Sequence, residues 1–342
     1  MKKVRRLRAG SPIAIVSPSW GGPSKYPAIF DAGLENLRIM GLVPVEFPTA
    51  RMDAAELRKN PRLRANDLHN AFLDPQIEGV IASIGGDDSV RLLEFLDPEV
   101  FLKNPKFIMG YSDSTTFLNF ISDAGLVTFY GPSIMSGFAQ WKHYPIEVTD
   151  HFKEIVFHAG TPTWGFNSYY SEGYPDFGDL IQIGHFKPQQ PTDGWHWFPG
   201  SSHAVREGVL WGGCIEVLEM MKGTRYWPRT WADKILFLES NEDVPTPTAV
   251  SYWLRNYGVQ GVFSQISALL VARPIGYTLQ QKLELEEVIR VVVREEFGVQ
   301  DLLVITNMDF GHTDPQWIMP IGGRVEIDPM GKCMKLLDPV CD

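Results

Sequence analysis

A serine that ends an apolar strand and opens a helix is the sharpest chemical signal in the chain. In KFIMGYSDSTTFLNF (106–120) a strand-like run leads into Gly110, Tyr111, Ser112 and Asp113, and a helical pattern follows at once. Such a turn projects the serine Oγ above the carboxyl end of a sheet, while the helix start offers free backbone N–H groups to a developing oxyanion. The segment departs from the G-x-S-x-G elbow because Ser114 stands where the second glycine would be. Serine and aspartate are also the favoured helix caps, so the motif alone reads equally well as a cap made by Ser112 or Ser114.

A serine nucleophile requires a base, and the base an orienting acceptor. Glu239 closes the apolar run KILFLES (234–240), and His312 follows LLVITNMDF in the turn Gly311-His312-Thr313-Asp314. Serine, carboxylate and histidine in that order is the chain order of α/β hydrolases. Each also has a plain structural reading, a strand-end carboxylate paired with a neighbour and a turn histidine bonded to backbone. In IASIGGDDSVRLLEFL (81–96) the pair Gly85-Gly86 lets the backbone come close to a bound group. The functional reading is an oxyanion hole from the N–H groups of Gly86 and Asp113; the alternative is a tight turn between strand and helix. Neither a dinucleotide nor a Walker glycine motif is present, so such nucleotide sites lose their main support, and no histidine has ligand spacing, so no metal is expected.

These residues must be positioned by a sheet. Apolar β-branched runs at 13–18, 43–47, 79–86, 106–112 and 126–132 read as strands, with helices at 28–40, 63–72, 89–95 and 114–124. Gly41 and Gly125 are placed as helix stops. The alternation predicts a flavodoxin- or Rossmann-like parallel sheet in a first α/β lobe, residues 1–150. A second, smaller α/β lobe, residues 206–342, has strand runs at 209–213, 234–240, 267–274 and 302–312, and helices at 247–256 and 279–297. Its last segment, 319–337, reads as a β-hairpin turned at its glycines. Between the lobes, 151–205 contains a long aromatic loop. There Trp195 and Trp197 are candidate stacking partners for a base, or residues that pin the loop or form a dimer contact.

A chain of 342 residues suits two domains, and 44% hydrophobic with 21% charged residues is an ordinary globular balance. The formal net charge of −10 disfavours nucleic-acid and anionic-membrane partners and suits a small or cationic substrate. The basic opening MKKVRRLRAG reads as a solvated tail rather than a signal peptide, and no apolar run is long enough to span a bilayer. Three cysteines without C-x-x-C spacing point to a reducing, cytoplasmic setting.

Together the Gly-Gly-Asp-Asp turn, GYSDSTTFLNF followed by GLVTFYGP, LWGGCIEVLEMMKGTRYWP, the strand ending at Glu239 and the final GHTDP resemble the LD-carboxypeptidase family over about residues 11–328. This serine peptidase family includes murein tetrapeptide LD-carboxypeptidases and microcin C immunity amidases. The resemblance implies a Ser-His-Glu triad at Ser112, His312 and Glu239, an oxyanion hole at Gly86 and Asp113, a homodimer and no cofactor. It also suggests that immunity-type members carry a tryptophan-bearing loop, which favours an aminoacyl-nucleotide substrate over a murein peptide. A non-catalytic small-molecule binding protein is the expectation of a different class, since two α/β lobes with a cleft describe that too.

Overall fold

Short runs of β-branched and aromatic residues, separated by helix-forming ones, build two largely parallel sheets. The computed structural model describes residues 1–201 and 203–342. In chain order its strands are β1 (Pro12–Val16), β2 (Val43–Glu46), β3 (Gly79–Ala82), β4 (Phe107–Gly110), β5 (Thr128–Tyr130), β6 (Thr163–Trp164), β7 (Tyr169–Ser171) and β8 (Gln189–Pro191). They continue with β9 (His196–Trp197), β10 (Arg206–Cys214), β11 (Lys234–Glu239), β12 (Ala268–Ala272), β13 (Leu303–Met308), β14 (Met319–Ile321), β15 (Arg324–Asp328) and β16 (Cys333–Leu336).

The first sheet runs β14-β5-β4-β3-β1-β2, with β1 to β5 parallel. Its order 2-1-3-4-5 is that of flavodoxin-like folds, whose ligands sit beyond the carboxyl ends of the strands where the order reverses. β3 and β4 are buried at every residue, as strands covered by helices on both faces must be. The second sheet runs β6-β16-β15-β10-β11-β12-β13-β9 and is parallel from β10 to β13. It has eight strands against six and is the wider of the two, because β6 and β9 join its edges from the segment before residue 206.

Three expectations are corrected here. The 319–337 segment is not one hairpin: β14 pairs antiparallel with β5 in the first sheet, whereas β15 pairs with β10 and β16 in the second. Laying Met319–Ile321 along β5 covers what would be an open edge of the first sheet. The basic N-terminus is not a solvated tail either. Val4 and Leu7 are buried, and the Lys2 and Val4 N–H groups donate to Gly125 O and Val340 O at 2.7 and 3.2 Å. The helix expected at 89–95 is a short 3-10 turn, Ser89–Leu92, and the long final helix is α-helical to Arg290 and then widens into a π turn. Among the described residues, no helix is long and apolar enough to cross a membrane.

Candidate active site

Ser112 leaves β4 through a turn that few residue types tolerate. Its φ is +58°, a left-handed conformation that non-glycine residues adopt mainly where the surroundings impose it. A Cβ on Gly110 would stand 2.5 Å from Ser114 Oγ, so the strand can end this close to the turn only with glycine there. The helix that follows, Thr115–Ala124, has no side-chain cap from Ser114 and stops at Gly125 in the left-handed region. Ser112 Oγ points away from the helix end, towards His312 Nε2 at 3.1 Å. The cap reading of this serine therefore has no hydrogen bond to support it.

His312 arrives from the second lobe, and its Nδ1 lies 2.6 Å from Glu239 Oε2 at the carboxyl end of β11. Gly311 makes this approach possible: its φ is +85°, and a Cβ there would lie 2.7 Å from the Glu239 carboxyl. The other oxygen, Oε1, accepts the hydroxyl hydrogen of Tyr130, which closes β5. That hydroxyl also accepts the Ser112 backbone N–H at 2.9 Å. Glu242 adds a second carboxylate, 3.1 Å from His312 Nε2, from an exposed position. Burial opposes the imidazolium, but Glu239 and Glu242 outweigh it and hold the His312 pKa up at about 10. The two carboxylates thus favour the imidazolium form of the histidine.

The Gly85-Gly86 corner closes on the serine turn. A Cβ on Gly85 would lie 3.1 Å from Ser112 Oγ and 3.4 Å from Asp113 N, and one on Gly86 would collide with Ser19 Oγ. The Asp113 carboxylate fastens this corner from beneath. Its Oδ2 accepts from the Ser19 hydroxyl and from the N–H groups of Asp88 and Ser89 at 3.1 and 2.8 Å, and burial raises its pKa. Asp88 is held in turn by the buried guanidinium of Arg64. The structure therefore brings Ser112, His312, Glu239, Gly86 and Asp113 to one place.

A cleft of about 880 Å³ opens over these groups, lined by Ser112, His312, Gly86 and residues of both lobes. Trp195 and Trp197 do not line it, which corrects the expected stacking pair. Trp195 is buried, its indole N–H donating to Asp309 Oδ2 at 2.8 Å, and Trp197 sits in β9 beside Ile305 of β13. Trp195 thus pins the loop to a buried Arg273–Asp309 pair, and Trp197 joins it to the edge of the second sheet. The aromatic wall is a ladder of Trp20, Tyr26, Phe177 and Tyr174, with ring centroids 5.9–6.3 Å apart from one to the next. Tyr130, Glu242 and the Asp113 side chain escaped sequence reasoning. Only Tyr130 carried a usable signal, a polar tip at the carboxyl end of an apolar strand. Among the described residues no group of three His, Cys, Asp or Glu side chains is arranged to hold a metal ion.

Residues 13–131 match the LD-carboxypeptidase N-terminal domain, and residues 207–327 match the LD-carboxypeptidase C-terminal domain. A protein of Treponema pallidum named as a carboxypeptidase is 26% identical over 342 residues, which covers 98% of this chain and 94% of the relative. The microcin C7 self-immunity protein MccF of Escherichia coli is 28% identical over 271 residues, 78% of this chain and 75% of its own length. An MccF-like protein from Streptococcus pneumoniae, solved in complex with AMP, superimposes with a TM-score of 0.85 at 26% identity, over 96% of this chain and 99% of that one. The fold and these matches define a serine-type carboxypeptidase hydrolase of two-lobed α/β build. The chain belongs to the LD-carboxypeptidase family.

Proposed function

We propose that this hydrolase cleaves the amide of an aminoacyl-nucleotide by way of Ser112, His312 and Glu239. The observation that carries the reading is the unbroken relay from Ser112 Oγ through the two ring nitrogens of His312 to the Glu239 carboxylate, 3.1 and 2.6 Å. In the first half-reaction neutral His312 takes the Ser112 proton on Nε2 while Oγ bonds to the amide carbon. The oxyanion is met by the N–H groups of Gly86 and Asp113. Collapse breaks the carbon–nitrogen bond, and His312 returns the proton to the leaving nitrogen; water then repeats the sequence to free the acyl group. Glu239 keeps the imidazole in the tautomer with Nδ1–H and stabilises its charged form.

The nucleotide part of the reading is supported by the aromatic wall of Trp20, Tyr26, Tyr174 and Phe177, whose rings offer faces to a base within a cleft of small-molecule size. The AMP held by the Streptococcus pneumoniae protein agrees with it. In biological terms the chain would inactivate an aminoacyl-nucleotide antibiotic inside the cell. Side-by-side incubation with an aminoacyl-nucleotide amide and a murein tetrapeptide, followed by mass spectrometry, tests this. Release of the amino acid from the nucleotide is the expected outcome. Release of terminal D-alanine alone would replace it with the murein-recycling reading. The homodimer is proposed alongside; sedimentation equilibrium should give about twice the 38.6 kDa chain mass.

A further inference from the structure

The charges of the cleft are lopsided. Asp87, Glu172, Asp176, Glu216, Glu242 and Asp243 line it against Arg58, Lys187 and the imidazole of His312. Two of the carboxylates already have cations: Asp87 faces Arg58 at 3.6 Å, and Glu172 faces Lys282 at 3.8 Å. Glu242 faces His312 Nε2 at 3.1 Å, while Glu216 and Asp243 have no lysine or arginine within 4 Å among the described residues.

Glu216 is the fixed member of the three. It starts the helix Ile215–Met221, is half-buried, and accepts the Asn241 N–H at 3.2 Å and the Cys214 thiol hydrogen at 3.2 Å. Its segment is tied to the nucleophile turn, because Cys214 N–H donates to Thr115 Oγ1 at 3.0 Å and that hydroxyl donates to Ser112 O at 2.7 Å. The position of its carboxylate relative to Ser112 is therefore set by the fold. Burial and the Glu239 charge push its pKa up to about 7, so a bound cation would draw it into the ionised form. Asp243 and Glu242 follow in the 241–243 turn, where Asn241 and Asp243 bond one another. A carboxylate-bearing substituent here would meet carboxylates that no lysine or arginine offsets, and an aliphatic one would leave Glu216 and Asp243 without a counter-charge.

We infer that the cleft selects an acyl group bearing a side-chain ammonium, held by Glu216 with Asp243 and Glu242 beside the scissile amide. The inference rests on the serine amidase reading proposed above and names its substrate class. An ammonium drawn to Glu242 also withdraws that carboxylate's support from the imidazolium, which lowers the His312 pKa so that Nε2 releases its proton to solvent and can then accept the Ser112 proton. Substrate charge and base activation are thereby joined at one side chain.

Calorimetric titration of the full chain with lysyl, norleucyl and glutamyl sulfamoyl adenosine tests this. The three ligands differ only in the charge at the end of the acyl side chain. The lysyl compound should bind on the order of tenfold more tightly than the norleucyl one, and the glutamyl compound more weakly still. Glu216→Gln should shrink the lysyl advantage at least several-fold, with its thermal melting checked to show that the variant folds. Glutamyl binding equal to or tighter than lysyl binding would overturn the inference, as would an unchanged lysyl preference in the folded Glu216→Gln protein. Parallel labelling of Ser112 with a fluorophosphonate separates the two levels of the argument. A labelled serine with the wrong charge preference sinks this inference alone, whereas no labelling sinks the amidase reading beneath it. Binding of none of the three ligands removes the aminoacyl-nucleotide reading and this inference together.

Discussion

The phenol of Tyr130 donates its hydrogen to Glu239 Oε1 and so joins the first sheet to the second directly behind the histidine. The Tyr130 hydroxyl oxygen accepts the Ser112 backbone N–H, so one buried residue touches both the Ser112 turn and the Glu239 carboxylate. Tyr130→Phe keeps the ring and removes both contacts. It leaves a buried carboxylate oxygen and a buried amide without partners, a loss of about 1–3 kcal/mol in stability. Looser placement of Glu239 should lower kcat/KM on the order of tenfold. Urea unfolding and amidase kinetics check the two effects; a variant matching the wild type in both would show that the bridge is idle.

In the proposed mechanism Glu242 is, after Glu239, the second carboxylate that raises the pKa of His312. The histidine acts as a base only when neutral, and its pKa stands at about 10 with both carboxylates in place. Activity should therefore rise with pH through the neutral range. Removing the Glu242 charge withdraws support from the imidazolium, so Glu242→Gln should shift the rising limb of the kcat/KM profile to lower pH. A shift to higher pH, or none, would contradict the assigned contact.

The Asp113 carboxylate holds the Gly85–Ser89 corner against the serine. Asp113→Ala leaves the Ser19 hydroxyl and two backbone N–H groups without their acceptor, at a cost of about 3 kcal/mol or more. The urea midpoint should fall clearly, and fluorophosphonate should react more slowly because the Gly85-Gly86 corner is no longer held against the Ser112 turn. An unchanged midpoint would mean that the corner is fixed by other contacts, such as the Arg64–Asp88 pair.

The parts of this site that were legible in the sequence share one property. Ser112, Glu239 and His312 each follow an apolar strand, and the carboxyl ends of parallel strands converge on one face of a sheet. Strand order and sheet membership are long-range facts. Nothing local in MPIGG announces that Met319–Ile321 pairs with Thr128–Tyr130, almost two hundred positions earlier, while Arg324–Asp328 pairs elsewhere. Trp195 was misplaced for a related reason. Its indole N–H needs a buried acceptor, and Asp309, which supplies one, lies over a hundred residues away. Without that partner in view, a tryptophan in a Gly- and Pro-rich loop reads as a surface for a ligand. Asp113 was read for its backbone amide alone, since the neighbours that hold its side chain come from two other segments.

The central claim is that Ser112 is the nucleophile, and covalent trapping tests it most directly. The folded protein is incubated with a fluorophosphonate, digested and mapped by tandem mass spectrometry. A single phosphonyl adduct on Ser112, absent from the Ser112→Ala and strongly slowed in the His312→Ala protein, is the predicted result. A folded protein that takes up no label, or takes it up equally after Ser112→Ala, would contradict the account.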